Sequence, residues 1–600
     1  MRIDRRRVLS LFAWGAVVPT AATAAGKTPA YAGHVEFLHG VASGDPLVDR
    51  MILWTRVTPK EKTSAKISVV WEIAEDASFK RLAAHGTTDT GPARDYTVKI
   101  DAGGLKAGHD YHYRFRAGKA VSPAGRARTL PSGDIQDVVL AFTSCALYPA
   151  GYFNAYDHIA KLERVDAVVE LGDYYYEMGA ADDDYGMTTG RKIGRIPEPA
   201  HEIITLDDYR ARHALYKRDV DLQAAHARAP WICVWDDHET ANDSWMGGAQ
   251  NHQPATEGSW LSREAAALQA YYEWMPIREP ERGQAATAIN RSFQFGDLAS
   301  LIMVESRLVA RSRQLRFDRP GDIPQTVFRI RGGTRERVID EDVITRVLAE
   351  AKEGKKPSPP YIIGPDVPAL LDKLNHPERQ MMGVPQEEWL GEEIARSVAR
   401  GQSWQVLGNQ VVMARCISPD LGKAVGWDKV EKILATLPED VRKEVAAYLD
   451  LITYDVPWDL DGWEGYPAAR ERVYDAIKTA QGNVIVVSGD SHAFWVNELY
   501  DASRSTRVAA EFGTSSVTSP GIGDEFPFVD VGKLYQERNP EVLFNDQSRK
   551  GYVLLTLTRE KAVADLVTVE HLTKPYKAGT LHSYAVSPAD GPGVGAIEKI

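Results

Sequence analysis

Polar side chains that could bind a metal follow five short apolar segments of this sequence. Each segment is followed closely by a thiol, a carboxylate, a phenol, an amide or an imidazole. The groups are Cys145, Asp173 with Tyr176, Asp237 with His238, Asn409 with Gln410, and Asp490 with His492. Carboxylate and amide oxygens suit hard cations, whereas thiolate, phenolate and imidazole suit iron. The mixture predicts two chemically different metals held side by side.

The apolar segments that precede these groups indicate the elements that must position them. They are continuous apolar runs, typical of strands buried on both faces, at 138–142, 166–172, 231–235, 404–407 and 484–488. Segments with helical spacing lie between them, so the pattern predicts an α/β domain. In such a sheet, ligands bind outside the carboxyl ends of the strands, which brings the polar groups to one place.

Each of these residues taken alone also has a structural explanation. Cys145 could be a small buried apolar residue, and Asp173 could be a turn residue or helix cap. Tyr176 is one of 25 tyrosines, and His492 could be a core histidine with its hydrogen bonds satisfied. Recurrence of the groups at the same position relative to the strands favours a shared site.

The chain before the α/β pattern reads as a separate all-β unit. Short alternating or β-branched segments at 67–73, 96–100 and 111–116 predict a small β-sandwich over 34–132. The α/β domain is then expected over 136–575. The stretch 311–360 reads as an insertion or elaborated loop, and the Gly- and Pro-containing end, 576–600, as a loose tail.

The first 25 residues have the layout of an export signal. Arg5, Arg6 and Arg7 precede a short apolar run at 9–18, and small residues follow at 21–25. Consecutive arginines predict a twin-arginine signal peptide over 1–25, read by the twin-arginine translocation machinery. The mature protein would then be periplasmic or secreted. An accidental basic and apolar N-terminus is the alternative.

Composition excludes several classes of protein. The 600-residue chain has a formal net charge of −12, which disfavours general nucleic-acid binding. The predicted mature part has no apolar run of the roughly 18 residues that a transmembrane segment requires. Only three cysteines occur, which argues against a disulfide framework, and Cys233 and Cys416 lie in or near apolar segments as expected of packing residues.

The motifs together resemble the PhoD family of alkaline phosphatases and phosphodiesterases, within the calcineurin-like metallophosphoesterases. The resemblance rests on Gly-Asp-x-x-Tyr at 172–176, Asp-His-Glu at 237–239 and Gly-Asp-Ser-His at 489–492. Further similar blocks begin with FLHGVASGDPLVDRMILWTRVTP at 37–59 and extend to about residue 575. The resemblance implies a four-layer αββα metallophosphoesterase sandwich, preceded by a small immunoglobulin- or fibronectin-like β-sandwich.

The resemblance also implies an iron–calcium active centre, Fe³⁺ and Ca²⁺, with Mn²⁺ or Zn²⁺ as alternatives. Asp173 would bridge the metals, and Cys145, Tyr176 and His492 would bind iron. The second cation would be held by Asp237, by Asp490 and by Asn409 or Gln410, with Asn242 as a further contact. His238 would face the phosphoryl group as the catalytic residue, and Glu239 would orient it. Arg307 would either touch the phosphate or form a structural salt bridge.

The function implied is an exported, metal-dependent alkaline phosphatase and phosphodiesterase that hydrolyses small phosphate esters through a metal-activated hydroxide. A phospholipase D-like phosphodiesterase acting on lipid headgroups is an alternative that the sequence leaves open. An exported binding protein without catalysis, in which the β-sandwich makes the functional contacts, is the alternative from another class.

Overall fold

The structure, a computed structural model, describes most of the chain. The described residues are 31–600 except 182–184, 318, 436–441, 443–445, 447, 450 and 590. The predicted signal peptide at 1–25 lies outside the described residues. The fold is mixed α/β, and no helix within the described ranges is long and apolar enough to cross a membrane.

The N-terminal region is built from short strands and no α-helix within its described residues. The strands are β1 (Val35–Glu36), β2 (Val41–Gly44), β3 (Arg50–Arg56), β4 (Thr58–Pro59), β5 (Ile67–Ala74), β6 (Leu82–Thr90), β7 (Thr97–Gly103), β8 (Asp110–Ala117), β9 (Ala120–Val121) and β10 (Gly125–Arg128). Strand β8 alternates as its sequence predicts, and Tyr111, Tyr113 and Phe115 are buried in the apolar cluster of this region.

Seventeen further strands lie among the described residues after position 130. They are β11 (Asp137–Thr143), β12 (Ala167–Glu170), β13 (Trp231–Cys233), β14 (Arg291–Phe295), β15 (Ala299–Met303), β16 (Gln325–Arg331), β17 (Thr334–Arg337), β18 (Tyr361–Pro365), β19 (Trp404–Gly408), β20 (Val484–Ser488), β21 (Phe494–Tyr500), β22 (Arg507–Gly513), β23 (Val542–Asp546), β24 (Gly551–Thr558), β25 (Ala562–Val569), β26 (Ala578–Val586) and β27 (Glu598–Lys599). The five predicted buried segments correspond to β11, β12, β13, β19 and β20.

Helices connect these strands. They are α1 (Asn154–Ala160), α2 (Met187–Ile193), α3 (Leu206–Lys217), α4 (Val220–Arg228), α5 (Pro254–Glu257), α6 (Trp260–Trp274), α7 (Glu341–Lys352), α8 (Val367–Leu374), α9 (Val384–Ala399), α10 (Leu421–Val425), α11 (Trp427–Leu434), α12 (Pro467–Ala480), α13 (Ile522–Glu525) and α14 (Val531–Arg538). Helix α3 begins at a capping box, in which Thr205 and Asp208 bond reciprocally to each other's backbone amides.

Two large sheets organise the chain. One has the order β27-β26-β25-β24-β11-β12-β13-β2-β3-β7, and the other has the order β14-β15-β19-β20-β22-β21-β23. Strands β11, β12 and β13 are parallel, and so are β15, β19 and β20. One apolar cluster contains residues of both sheets, including Val169 of β12 and Val487 of β20. The main apolar core therefore includes the buried strands of both sheets, and the polar groups follow the ends of these strands.

The N-terminal strands are divided among three sheets, of which the smallest is the pair of β1 and β4. Strands β10, β8, β5 and β6 form a sheet of their own, to which β9 is added. Strands β2, β3 and β7 instead extend the ten-stranded sheet, where Gly44 of β2 pairs with Trp231 of β13. A side chain at Gly44 would collide with backbone atoms of Trp231 and Pro276, so glycine permits this junction. The all-β region is thus continuous with the α/β region.

Two segments that were expected to be irregular contain regular elements, so 311–360 is not a loop, although it can still be an insertion, and 576–600 is not a loose tail. The stretch 311–360 contains β16 and β17, which form a three-stranded antiparallel sheet with β18, and it also contains helix α7. This unit has its own apolar cluster, including Val327 and Val347. The expected tail at 576–600 contains β26, which pairs with β25 along its length. Tyr584 and Val586 of β26 are buried, so the apolar side chains outweigh the nearby glycines and prolines.

Candidate metal centre

Loops at the carboxyl ends of the parallel strands meet at one edge of the molecule. The amide of Cys145, after β11, donates to the carbonyl of Gly172, after β12, at 3.2 Å. The amide of Asp490, after β20, donates to Ser144 Oγ at 3.4 Å and links the two sheets. The amide of Gly489 donates to the carbonyl of Gln410 at 2.8 Å. Strand ends that are far apart in sequence are therefore held together by hydrogen bonds.

Four of the predicted ligands have left-handed backbone conformations. The φ angles are 61° at Cys145, 56° at Asp173, 61° at Asp490 and 57° at His492. Residues other than glycine rarely adopt such angles, and each costs of order 1–3 kcal/mol unless the surroundings enforce it. Backbone strain is therefore present at four of the residues predicted to bind metal.

Four different donor atoms converge to form what we call the mixed-donor group: Cys145, Asp173, Tyr176 and His492. Oδ2 of Asp173 lies 3.4 Å from Cys145 Sγ and 3.1 Å from Tyr176 Oη. Tyr176 Oη also lies 3.2 Å from His492 Nε2. All four side chains that the sequence predicts for iron therefore come together. Their chemistry, a thiol, a carboxyl, a phenol and an imidazole, fits iron.

Burial disfavours the charged forms of the side chains in the mixed-donor group. Burial, followed by the charge of Asp173, raises the pKa of Cys145 and of Tyr176 well above their ordinary values. Burial and then Lys550 lower the pKa of His492 to about 3. His492 Nδ1 donates to the carbonyl of Pro520 at 2.7 Å, which leaves Nε2 with a lone pair for a ligand. A bound cation would favour the thiolate and phenolate.

A second set of side chains, which we call the carboxylate group, adjoins the first through Asp173. Asp173, Asp236, Asp237 and Asp490 each offer an oxygen, and these oxygens lie within 4.8 Å of one another. Burial raises the pKa of Asp173 and of Asp490, and the charges of Asp236 and Asp237 raise both further. Oδ1 of Asp173 is buried and has no hydrogen-bond partner among the described residues. The group therefore fits a hard cation.

The carboxylate group continues into a third set that the sequence analysis did not identify. Oxygens of Asp237, Asp243 and Asp461 also lie within 4.8 Å of one another. Asp461 belongs to the segment Trp458-Asp459-Leu460-Asp461. The two closely spaced aspartates of this segment could have indicated a metal ligand. Asp236 was missed as well, although it directly precedes the predicted ligand Asp237.

His238 is oriented by Glu177, and the prediction that Glu239 orients it is wrong. His238 Nδ1 lies 2.6 Å from Glu177 Oε2, and Glu177 Oε1 accepts from the amide of Asn242 at 2.8 Å. Burial opposes the charge on His238, but the carboxylates of Glu177, Asp237 and Asp173 outweigh it and raise its pKa well above the ordinary value. Burial likewise opposes ionisation of Glu177, but His238 and other hydrogen bonds lower its pKa to about 2.

Glu239 instead fixes the loops that carry the ligands. Its carboxylate accepts from the amides of Asp173 at 3.1 Å, Tyr174 at 2.6 Å and Asp236 at 2.9 Å. The reason is local: the chain turns after β13, with the amide of Thr240 donating to the carbonyl of Asp237. Glu239 is thereby directed back towards the loop after β12.

Arg307 forms buried ion pairs, in agreement with the structural alternative. Its guanidinium bonds to Asp236 and Asp461, and Nη2 lies 3.6 Å from Asp490 Oδ1 and 3.8 Å from Asp237 Oδ1. The side chain has no solvent exposure. Arg307 therefore offsets part of the negative charge that the aspartates bring together.

The predicted amide ligands have other contacts. Asn409 donates to the carbonyl of Val411, and its Oδ1 accepts from Trp463 Nε1 at 3.2 Å. Gln410 accepts from Ser306 at 2.6 Å and donates to the carbonyl of Val304 at 2.7 Å. Asn242 Nδ2 donates to Gln250 Oε1 at 3.0 Å. These bonds position neighbouring segments, and a metal-binding role for any of the three stays a prediction.

An open cavity of about 310 Å³ gives access to the site. Its lining residues are Asp173, Asp237, His238, Asn242, Asp243, Tyr448, Trp458, Asp459, Asp461, Asp490, Ser491, His492 and Ile522. Both the carboxylates and His238 are therefore accessible to a small anionic substrate.

The chain is similar to known proteins along most of its length. Residues 140–566 match the family described as PhoD-like phosphatase, and residues 21–131 match the PhoD-like phosphatase N-terminal domain. The chain is 32% identical over 576 residues to alkaline phosphatase D of Bacillus subtilis (strain 168), covering 94% of this chain and 82% of that protein. It is also similar to a solved structure of PhoD, with a TM-score of 0.71 and 29% identity, covering 95% of this chain and 93% of that one.

These similarities confirm the resemblance drawn from the motifs. The chain is a phosphoric ester hydrolase of the alkaline phosphatase D type. It belongs to the PhoD-like phosphatase family.

Proposed function

We propose that this protein is an exported alkaline phosphatase and phosphodiesterase that requires iron and calcium. The observation that carries the proposal is the convergence of the mixed-donor group with the carboxylate group on the shared residue Asp173. One carboxylate with two oxygens can face two cations at once. The unpartnered Oδ1 of Asp173 supports this role, because Oδ2 already faces Cys145 and Tyr176.

The residues divide between two cations by their chemistry. Cys145, Tyr176 and His492 would hold Fe³⁺, Asp237 and Asp490 would hold Ca²⁺, and Asp173 would face both. When bound, the two cations offset the negative charge of the phosphoryl oxygens and make hydroxide available near neutral pH. Mn²⁺ or Zn²⁺ are the alternatives that elemental analysis would distinguish.

His238 is the proton donor in the proposed mechanism. It lines the cavity, its Nδ1 is bound to Glu177, and its pKa is raised, so it is protonated at neutral pH. Nε2 is then the ring nitrogen from which a proton can pass to the leaving alkoxide. Glu177 keeps the imidazolium in place and stabilises its charge. Arg307 holds Asp236 and stays outside the cavity lining, so its role is positioning.

The layers and domains of the fold are part of the same proposal. We infer a four-layer αββα sandwich over 136–575, preceded by a β-sandwich domain over 34–132. The apolar cluster shared by the ten- and seven-stranded sheets supports the packing of one sheet on the other. The separate sheet of β10, β8, β5 and β6 supports a second unit at the N-terminus.

Export is proposed from residues 1–25 alone. Replacement of Arg5 and Arg6 by lysine keeps the charge but removes the paired arginines of a twin-arginine signal. We expect the variant protein to accumulate in the cytoplasm, as measured by fractionation and immunoblotting. Unchanged export would contradict the twin-arginine route.

One experiment tests the proposed activity and the metals together. Protein purified without chelator is analysed for metals and assayed at alkaline pH with p-nitrophenyl phosphate and bis(p-nitrophenyl) phosphate. We expect one iron with calcium per chain and turnover of both esters. Two zinc or two manganese ions would contradict the metal assignment, and loss of turnover under every metal condition would contradict the function.

A further inference from the structure

A second cavity adjoins the first one at Asp490 and extends away from Asp173 and Asp237. It also has a volume of about 310 Å³, and it shares Trp458, Asp490, Ser491, His492 and Ile522 with the first cavity. We call it the aromatic subsite, and its remaining lining residues are Tyr185, Pro520, Gly521, Glu525 and Gln547. Asp173 and Asp237 line only the first cavity. A substrate with its phosphoryl group at the carboxylates would therefore place its other part in the aromatic subsite.

Trp458 is held rigidly at the junction of the two cavities. Its ring centroid lies 5.2 Å from that of Trp495 and 6.0 Å from that of Tyr535. Its amide donates to the carbonyl of Cys416 at 2.9 Å. Trp495 in turn donates from Nε1 to Ser491 Oγ at 2.8 Å, which ties this aromatic cluster to the ligand loop 490–492. The indole is half-buried and lines both cavities, so it offers a fixed aromatic surface to a ligand.

The charged side chains that line the aromatic subsite are acidic, whereas the first cavity also contains the protonated His238. No lysine or arginine lines either cavity among the described residues. Asp524 is neutralised by Lys550, whose Nζ lies 2.8 Å from its carboxylate. Glu525 beside it forms no ion pair with any described residue, and its side chain is exposed on the subsite. The subsite therefore combines an aromatic surface with an unpaired carboxylate.

We propose that the aromatic subsite binds the second alcohol of a phosphodiester and selects an alcohol that carries a positive charge. This inference rests on the proposed phosphodiesterase function. A quaternary ammonium group is attracted by the face of an indole and by the carboxylate of Glu525. A second anionic group would meet Glu525 and find no basic side chain. The protein therefore distinguishes diesters by the charge of the arm that is not released as the leaving group.

Two isosteric diesters test the proposal. p-Nitrophenyl phosphorylcholine and p-nitrophenyl 3,3-dimethylbutyl phosphate release the same phenol, and their arms differ only in a nitrogen cation replaced by carbon. We expect kcat/KM to be about 2- to 30-fold higher for the choline diester, because cation–π attraction contributes about 0.5–2 kcal/mol. The ratio of the two kcat/KM values should fall towards one in Glu525→Gln and in Trp458→Leu.

Glu537→Gln is the matched control, because Glu537 is a 61% exposed glutamate of α14 that lines neither cavity. It should leave the ratio unchanged. Thermal unfolding shows whether the Trp458→Leu variant is folded. Glu525→Gln changes an exposed side chain, so it tests the proposal even if Trp458→Leu does not fold. A wild-type ratio at or below one, or a ratio that Glu525→Gln does not change, overturns the inference. Turnover of bis(p-nitrophenyl) phosphate would in that case still support the proposed phosphodiesterase function.

Binding gives a readout that does not depend on turnover. Calorimetric titration of the holoprotein with choline and with 3,3-dimethylbutan-1-ol compares the same two arms as free alcohols. We expect choline to bind more tightly, by a factor that Glu525→Gln reduces. Equal or weaker binding of choline overturns the inference, even where no ester is hydrolysed.

Discussion

Nδ1 of His238 lies 2.6 Å from Oε2 of Glu177, and both side chains are buried. The second oxygen of Glu177 is also engaged, by the amide of Asn242 and by Nδ2 of Asn251 at 2.8 Å each. Glu177 thus has no freedom to turn away. The pair fixes which imidazole nitrogen faces the cavity, and it keeps the proton on His238 to higher pH than an ordinary histidine would.

Glu177→Gln keeps the shape of this contact and removes its charge. The pKa of His238 should fall, because the carboxylate of Glu177 is the largest cause that raises it. The high-pH limb of the kcat profile should therefore move to lower pH, with roughly a tenfold or greater loss of kcat at pH 9. Glu353→Gln, at an exposed glutamate, is the control. An unmoved limb would show that His238 is not the proton donor.

The same pair should affect stability in the metal-free protein. The pKa of Glu177 is lowered to about 2, so its contribution is present above pH 4.5 and is lost as pH falls through about 2. We expect Glu177→Gln to lower the free energy of unfolding at pH 7 by roughly 3 kcal/mol, from the size of that shift. Urea unfolding at a series of pH values measures the difference, which should shrink between pH 4.5 and pH 3. A difference independent of pH would contradict the ion pair.

Asp173→Asn separates stability from activity. Burial and neighbouring carboxylates raise the pKa of Asp173, so the metal-free protein is destabilised by its charge. The asparagine variant should be more stable than wild type without metal, by about 1–2 kcal/mol. Its activity should fall roughly a thousandfold or more, since several kcal/mol of transition-state stabilisation is lost with the metals. Unfolding curves measure the stability, elemental analysis measures the bound metal, and ester turnover measures the activity. Full activity of the variant would refute the bridging role of Asp173.

The strand ends were predictable from the sequence because each combines a local apolar run with a directly following polar group. Cys145, Asp173, Tyr176 and His492 were found in this way, and the structure brings them together. The contacts of Arg307 with Asp461 and of His238 with Glu177 were not predictable, because they join segments 154 and 61 residues apart. Strand pairing between β2 and β13 was missed for the same reason: one long-range residue pair joins these strands.

Tyr176→Phe should remove the colour expected of a tyrosinate bound to ferric iron. Tyr176 Oη is 3.1 Å from Asp173 and 3.2 Å from His492, so it is the phenol placed to bind. The visible charge-transfer band of the purified protein should disappear in this variant. Tyr185→Phe is the matched control, since Tyr185 Oη lies 3.3 Å from the other ring nitrogen of His492. Persistence of the band in Tyr176→Phe, or its loss in Tyr185→Phe, would assign the ligand differently.

Arg307 should stabilise the fold through the aspartates it pairs with. Removing one partner of a buried ion pair leaves an uncompensated charge, so Arg307→Met should lower the free energy of unfolding by about 3–5 kcal/mol. Arg307→Lys keeps the charge but loses the planar contacts to both Asp236 and Asp461, and it should restore only part of this loss. Urea unfolding with and without metal measures these effects. Added cation should reduce the deficit of Arg307→Met, because metal and guanidinium offset the same carboxylates. An equal deficit in both states would mean that Arg307 and the metals act on separate charges.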